Sequence, residues 1–210
     1  MQRSNFSSVL RAIRWISIAL IIGIGGWMVV KPMLDRPVDS HADIGGNFTL
    51  LDQNGKVFTQ KDLLGKPYLL YFGYTYCPDV CPTALQQMGA AIELVGADAT
   101  KFNTVFITID PQRDTVELMA QYVKSNGFPA GLIGLSGTAA QIEKIAKAWT
   151  MIYRRSAETR GEADYLMDHT SIIYFHDANG KFVSAFSHRD SPQIIANCLN
   201  SYLDEQPCRR

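Results

Sequence analysis

The sequence predicts an α/β fold, a mixed central sheet flanked by helices, with an N-terminal transmembrane helix ahead of it. Strand-like and helix-like hydrophobic patterns alternate from Phe48 onward, as they do in α/β folds. Hairpin signals stand at both ends of this alternation, so the sheet must contain antiparallel as well as parallel pairs. An uncharged run, residues 15–30, precedes the domain and predicts the transmembrane helix.

The apolar run 15–30 is bounded by Arg14 and Lys31 and carries tryptophan near both ends. As a helix it would span roughly 24 Å, slightly less than the hydrocarbon core of about 30 Å. The two flanking basic side chains can bridge the difference because they keep their charges at the headgroups. Arginines without any acid precede the run, so the positive-inside rule predicts that the N-terminus, residues 1–14, is cytoplasmic.

A cleaved signal peptide is the alternative interpretation of this run. It requires a small-x-small site close behind the apolar core, and the nearest good match, Ser40-His41-Ala42, comes ten or more residues too late. We therefore expect a retained single-pass anchor in a bacterial inner membrane, with the domain in the periplasm. The alternative location is the mitochondrial inner membrane, with the domain in the intermembrane space, because residues 1–14 contain Arg and Ser and no acid.

The composition indicates one globular domain beyond the anchor. The 210 residues are 47 % hydrophobic and 19 % charged, with 20 basic and 20 acidic side chains. Residues 37–210 hold 15 of the basic and 19 of the acidic side chains, so no basic face for nucleic acid is implied. Residues 31–46, with two prolines and two glycines, are predicted to form a tether. Residues 47–205 are predicted to form the domain, and residues 206–210 a tail.

The first half of the domain starts with a hairpin, whose strands 48–51 and 57–58 flank a turn that ends in Asn54-Gly55. The next run, 68–74, is almost wholly apolar, which is typical of a central strand buried on both faces. Residues 83–95 then carry apolar side chains at helical spacing, and a second strand of the buried type follows at 104–109.

The second half continues the alternation. Asp114 with Glu117, and Thr138 with Gln141, have the spacing of capped helix starts, and a short strand, 132–135, lies between the two helices. A polar stretch follows. The final predicted elements are a hairpin of strands 172–175 and 182–186, joined through Asn179-Gly180, and a last helix opened by Ser191-Pro192.

The most informative motif is Y-F-G-Y-T-Y-C-P-D-V-C-P, in which the central strand leads into Cys77 and Cys81 and a helix is predicted from Thr83. Ligand sites of open α/β sheets lie beyond the C-terminal ends of the strands, where both sulfurs fall. A helix start stabilises negative charge, so we expect a lowered pKa for at least one thiol. Four cysteines are too few for a disulfide scaffold, so this close pair indicates redox chemistry or a metal site.

The four-residue spacing of Cys77 and Cys81 is compatible with both uses. If the loop forms one helical turn, the two Cα atoms lie about 6 Å apart, within the roughly 4.4–6.8 Å range of disulfides and suitable for two thiolates on one metal ion. Pro78 and Pro82 stiffen the loop. Spacing alone therefore leaves redox chemistry and metal binding open.

A third potential ligand near the two sulfurs would favour a metal site over redox chemistry. His169 stands just before the predicted strand 172–175, and in thioredoxin-like folds that loop packs against the cysteine loop. Thiol oxidoreductases usually hold a cis proline there, and this chain has no proline near that position. Two thiolates and one imidazole suit copper or zinc, and copper forms the stronger complexes. His41, His176 and His188 are expected to be solvated or packing histidines.

A second motif, D-P-Q-R-D, spans Asp110 to Asp114. It predicts a proline turn in which Asp114 caps the next helix, while Arg113 would alternatively pair with Asp79 or Asp168 or face a partner protein. Asp168 would either orient the imidazole of His169 or be a plain exposed acid.

The remaining sulfur-containing side chains have weaker signals. Met88 and Met119 are at core positions of predicted helices, and the role of Met167 stays open. Cys198 is predicted to be a core residue and Cys208 lies in the polar tail, and the sequence names no partner for either.

With these motifs in this order, the sequence resembles the Sco/SenC family of membrane-anchored copper proteins over roughly residues 40–205 and the anchor. The resemblance implies a thioredoxin-like domain that binds Cu(I) or Cu(II) through Cys77, Cys81 and His169. It also implies a role in building the copper A centre of cytochrome c oxidase subunit II, either by delivering copper or by reducing that subunit's cysteines. Tyr76 stands where family members often have Phe or His.

Three functions remain open at the level of sequence. The first is a copper metallochaperone, a metal carrier rather than a catalyst, whose partners would be subunit II, the inner membrane, and a thiol reductant protein or another copper carrier. The second is a thiol:disulfide oxidoreductase that uses Cys77 and Cys81 without stable metal. The third is a redox or copper sensor, for which the sequence shows no output element.

Overall fold

The computed structural model describes residues 14–16, 18, 20, 23–27 and 31, and then 44–156 and 165–208. The chain divides into two compact units, Met1–Ala42 and Asp43–Arg210. The described residues of the first unit are helical. Parts of the predicted span 15–30, and most of the predicted cytoplasmic segment 1–14 and tether 31–46, lie outside the described residues. Within the part of the chain that is described, no helix has both the length and the apolar character needed to cross a membrane.

The second unit is a mixed α/β domain. Its strands are β1 (Thr49–Asp52), β2 (Val57–Thr59), β3 (Tyr68–Gly73), β4 (Asn103–Thr108), β5 (Ile133–Ser136), β6 (Tyr153–Arg155), β7 (Met167–His169), β8 (Ile172–His176) and β9 (Phe182–Ser187). Its α-helices are α1 (Val80–Val95), α2 (Val116–Tyr122), α3 (Ala139–Ala148) and α4 (Pro192–Leu203). Short 3-10 helices occupy Gln60–Leu63 and Gly96–Lys101.

The large sheet is mixed, as the sequence predicts. Its strands lie in the order β2-β1-β5-β4-β3-β8-β9. The pairs β3/β4 and β4/β5 are parallel, and the outer pairs on both sides are antiparallel. A second sheet pairs β6 with β7. The sequence analysis missed this second sheet because each strand has only three residues, too few to display a periodic pattern.

The sheet brings three separate segments to one edge. All six residues of β3 are buried, so this strand is central. Because β3 and β4 run parallel, the loops that follow Gly73 and Thr108 leave the sheet on the same side. The neighbouring β8 is antiparallel to β3, so its first residue, Ile172, and the segment before it also lie at that edge. Topology therefore gathers the cysteine motif, the D-P-Q-R-D motif and His169 in one region.

Two helix starts differ in detail from the prediction. Helix α1 begins at Val80, three residues before the expected Thr83, because Pro82 fits the first turn, where its missing N–H has no intrahelical partner to lose. Helix α2 is capped by Thr115, whose side chain accepts from the amide of Leu118, and Asp114 is buried instead of capping. The predicted capping box at the start of α3 is present.

The C-terminal segment is joined to the domain by a disulfide between Cys198 and Cys208. Cys198 is fully buried on α4, as predicted for a core residue, and α4 packs against α1. The sequence analysis found no partner for either cysteine because a pairing between a helix face and a tail has no spacing signature.

We expect Cys208→Ser to destabilise the domain by about 2–3 kcal/mol, because a cross-link over 10 residues of separation restricts the unfolded chain. Urea unfolding of the oxidised wild type and the variant measures this difference. Reduced wild type is the matched control and should unfold like the variant. Equal stability of oxidised wild type and variant would show that the disulfide contributes nothing.

Candidate metal centre

The cysteine loop is set by the end of β3 and the start of α1. The amide of Cys77 donates to the carbonyl of Tyr74 at 3.2 Å, which turns the chain as it leaves the strand. The amide of Cys81, in the first turn of α1, donates to Sγ of Cys77 at 3.3 Å. Amides in the first turn of a helix have no acceptor within the helix, so the sulfur of Cys77 supplies the acceptor for the amide of Cys81. Cys77 is half-buried, Cys81 is fully buried, and both are free thiols.

His169 ends β7 and reaches the cysteine loop. Its Nε2 lies 3.4 Å from Sγ of Cys81, although the two residues are 88 positions apart in the chain. Its Nδ1 lies 3.1 Å from the carbonyl oxygen of Thr170. A carbonyl can only accept, so the proton is assigned to Nδ1, which leaves Nε2 as the nitrogen with a lone pair available to a metal ion. The rings of Tyr71 and Tyr74 contact the imidazole edge to face.

Asp168 does not orient this imidazole. The carbonyl of Thr170 has that role, and the half-exposed carboxylate of Asp168 instead accepts from Nε of Arg154 at 3.3 Å. The alternative of a plain exposed acid is therefore the correct one. The sequence analysis had no signal for Thr170, because any residue can supply a backbone carbonyl.

The two thiols are electrostatically different. The pKa of Cys77 is lowered, chiefly because the thiol of Cys81 donates a hydrogen bond to its sulfur, and the Cys81 amide adds to the effect. The pKa of Cys81 is raised, because its thiol donates a hydrogen bond to the sulfur of Cys77 and because the thiol is buried. Burial raises the pKa of the neighbouring Tyr74 to about 12, so its hydroxyl stays neutral beside the sulfurs. This confirms the expectation that one thiol has a lowered pKa.

The separation between Cys81 and His169 fits a shared metal ion. Bond lengths of about 2.3 Å to sulfur and about 2.0 Å to nitrogen, the values for zinc, place two donors roughly 3.3–3.6 Å apart at bond angles of about 100–110°. The observed 3.4 Å lies in that interval. Among the described residues, no set of three or more His, Cys, Asp or Glu side chains is already arranged to hold an ion. Metal binding would therefore require a rearrangement of at least one of the three side chains.

A cleft of about 570 Å³ lies over this group and gives it access to solvent. Met167 is half-buried, lines the cleft and also packs against the hydrophobic core. The lining residues are Tyr74, Cys77, Pro78, Asp79, Val80, Ser156, Leu166, Met167, Asp168, His169 and Ser171.

Gly73 makes room for the buried sulfur, a role that the sequence analysis did not assign. A Cβ at this position would lie 2.9 Å from Sγ of Cys81 and 2.8 Å from a ring carbon of Phe106. A glycine within an otherwise apolar strand often marks such a close approach, so the pattern did contain a signal.

The other histidines lie elsewhere. His176 is fully buried and donates from Nε2 to the carbonyl of Ile44 at 2.8 Å, and burial lowers its pKa. It is a packing histidine, as expected. His188 is partly buried in the turn after β9, and His41 lies outside the described residues. Met88 and Met119 are fully buried and serve the core, as predicted.

Comparison with known proteins decides the family. The SCO1/SenC family model matches residues 36–204. The chain belongs to the SCO1/SenC family. An SCO2-like protein from Rickettsia felis is 36 % identical over 202 residues, 92 % of this chain and 97 % of that protein.

Solved SCO1/SenC structures agree with the fold. The structure of Bradyrhizobium japonicum ScoI with copper bound is 45 % identical, with a TM-score of 0.68, and the match covers 76 % of this chain and 99 % of that chain. The crystal structure of Arabidopsis thaliana ScoI with copper bound is 34 % identical, with a TM-score of 0.71, over 77 % and 99 %. The predicted thioredoxin-like α/β domain is thereby confirmed, and homologues of this chain bind copper.

The lowered pKa of Cys77 predicts a specific pH profile of alkylation. In metal-free, reduced protein, iodoacetamide should modify Cys77 at a rate that changes little between about pH 8 and about pH 6, whereas an ordinary thiol loses about tenfold per unit below its pKa of about 8.5. Mass spectrometry of the two cysteine peptides gives the rates, and Cys81 should react far more slowly. Protein in denaturant is the control, in which both thiols should follow the ordinary profile. A tenfold fall per unit for Cys77 in the folded protein would contradict this prediction.

Proposed function

We propose that this protein is a copper metallochaperone whose ion is held by Cys77, Cys81 and His169. The observation that carries the proposal is the 3.4 Å approach of Nε2 of His169 to Sγ of Cys81, beside the second sulfur. Copper is cargo in this proposal and not a resident cofactor. The copper-bound ScoI homologues and the soft donor set both support the choice of metal.

This donor set suits a copper carrier because the thiolates and the imidazole differ in their affinity for Cu(I) and Cu(II). Two thiolates satisfy Cu(I), while Cu(II) gains from the imidazole nitrogen as a further ligand. The cleft over Cys77 leaves one side of the ion open to an incoming ligand. An acceptor's sulfur or nitrogen would attack from that side, and His169 would be the first protein ligand to leave.

The acceptor that the family resemblance implies is the copper A site of cytochrome c oxidase subunit II. In the proposed arrangement, residues 15–30 anchor the protein in a bacterial inner membrane and the domain works in the periplasm. The mitochondrial inner membrane is the alternative location. A thiol reductant protein or another copper carrier would prepare the site for loading, because both cysteines must be reduced to bind copper.

Thiol:disulfide exchange is the second candidate function, and one observation favours it. A more acidic, half-buried Cys77 beside a buried, protonated Cys81 resembles an attacking and a resolving thiol. Against it, Thr170 and Ser171 occupy the place before β8 where thiol oxidoreductases usually hold a proline. Reduction of subunit II cysteines by this pair is compatible with copper delivery, since the acceptor also needs free thiols.

The role of His169 is tested by copper binding in His169→Ala. The wild type should bind about one Cu(II) per chain with a thiolate-to-copper charge-transfer band, and the variant should lose that band because the nitrogen ligand is gone. Optical titration with Cu(II) gives both quantities. His188→Ala is the matched control and should behave as wild type, because His188 does not line the cleft.

Two outcomes would contradict the proposal. An unchanged Cu(II) spectrum and affinity in His169→Ala would remove the third ligand. Turnover of a disulfide substrate by the metal-free protein, undiminished in His169→Ala, together with no stable copper binding, would favour the oxidoreductase instead.

A further inference from the structure

The segment Asp110–Asp114 contacts both of the segments that carry the candidate metal ligands. It follows β4 and lies at the same sheet edge as the cysteine loop and β7. Asp110 is 4 % exposed, and its Oδ1 accepts a hydrogen bond from the hydroxyl of Tyr165 at 2.7 Å. Tyr165 is equally buried and stands four residues before His169. One end of the segment therefore contacts the chain that carries the imidazole.

The other end of the segment contacts the chain that carries the sulfurs. Asp114 is fully buried, and its carboxylate accepts from the amide of Thr75 at 3.0 Å and from the hydroxyl of Thr75 at 2.6 Å. Thr108, at the end of β4, donates a third hydrogen bond to the same carboxylate. Thr75 is two residues before Cys77, so Asp114 ties the cysteine loop to the end of β4.

Arg113 lies between these two ends. Its Nε donates to Oδ2 of Asp110 at 2.5 Å. Its guanidinium carbon lies 3.6 Å from the ring centre of Tyr165 and 4.7 Å from that of Tyr76. Tyr165 belongs to the segment of His169 and Tyr76 to the cysteine loop, so one planar cation contacts aromatic rings from both sides. Among the described residues, Arg113 thus forms its ion pair with Asp110, whereas the alternative considered from the sequence was a pair with Asp79 or Asp168.

We infer that Asp110, Arg113 and Asp114 are positioning residues that fix the distance between the imidazole of His169 and the sulfurs. The inference rests on the proposed function, since it explains how the copper ligands are held. Positioning of this kind matters because a shift of about 0.5 Å in a donor already loosens a metal site. The two ligand-bearing segments are also joined directly, since the amide of Met167 donates to the hydroxyl of Tyr74 at 3.1 Å.

The sharpest variant is Tyr165→Phe, which removes one hydroxyl and keeps the ring against Arg113. Without the hydrogen bond to Asp110, the segment before His169 is held less tightly, so we expect about 3- to 10-fold weaker Cu(II) binding. In a His169→Ala background the same change should have no further effect, because the hydroxyl acts through the imidazole. Tyr202→Phe is the matched control: its hydroxyl accepts from the amide of Ala178 at 3.4 Å, and it does not line the cleft.

The first measurement is the Cu(II) affinity of four proteins: wild type, Tyr165→Phe, His169→Ala and the double variant. The second is the NMR chemical shift of the His169 ring protons in metal-free protein. Weaker binding that disappears in the His169→Ala background supports the inference, as does a shift of the His169 signals in Tyr165→Phe but not in Tyr202→Phe. Wild-type affinity in Tyr165→Phe, or an equal loss in both backgrounds, overturns it. If Tyr165→Phe does not fold, Asp110→Asn is put through the same cycle, because it replaces one of the two carboxylate oxygens that accept from Tyr165 and Arg113 with an NH2 donor.

The same design separates this inference from the proposed function. If wild type and His169→Ala bind Cu(II) alike, the ligand assignment fails, and the NMR comparison in metal-free protein then decides the positioning role by itself. Unmoved His169 signals in both tyrosine variants would overturn the inference even though wild type binds copper through His169.

Discussion

The proposed function depends on one contact, the approach of an imidazole nitrogen of His169 to the sulfur of Cys81 across 88 positions of sequence. Nothing local brings these atoms together. Parallel pairing of β3 with β4, and antiparallel pairing of β3 with β8, place both residues at one edge of the sheet. The carbonyl of Thr170 then accepts from Nδ1 of the ring, which leaves Nε2 as the nitrogen with a lone pair available to a metal ion. The candidate site therefore depends on the fold, because only this strand order brings Cys81 and His169 to the same edge of the sheet.

The electrostatics of the cysteine loop follow from the same geometry. The sulfur of Cys77 accepts a hydrogen bond from the amide of Cys81, which has no acceptor within α1. The buried thiol of Cys81 donates a second hydrogen bond to the same sulfur. The more acidic sulfur is also the one exposed to the cleft, while the less acidic sulfur is fully buried and lies beside Gly73. In the proposed function, an incoming copper ion would meet the more acidic sulfur first and the buried sulfur second.

Much of this could be predicted from the sequence, because the signals were local. The apolar run of β3 and the capping box of α3 both predicted what is observed. What escaped prediction depends on contacts between distant segments. Asp114 has the spacing of a helix cap, but Thr75 and Thr108 donate three hydrogen bonds to its carboxylate, and Thr115 caps instead. The disulfide from Cys198 to Cys208 and the short sheet of β6 and β7 likewise have no recognisable pattern in the sequence.

The most direct test of the account is X-ray absorption at the copper edge on the Cu(II)-loaded protein and on its His169→Ala variant. The account predicts sulfur neighbours at about 2.3 Å and one nitrogen at about 2.0 Å, with the imidazole scattering absent from the variant. An imidazole signal that persists in His169→Ala, or a first shell without sulfur, would contradict it.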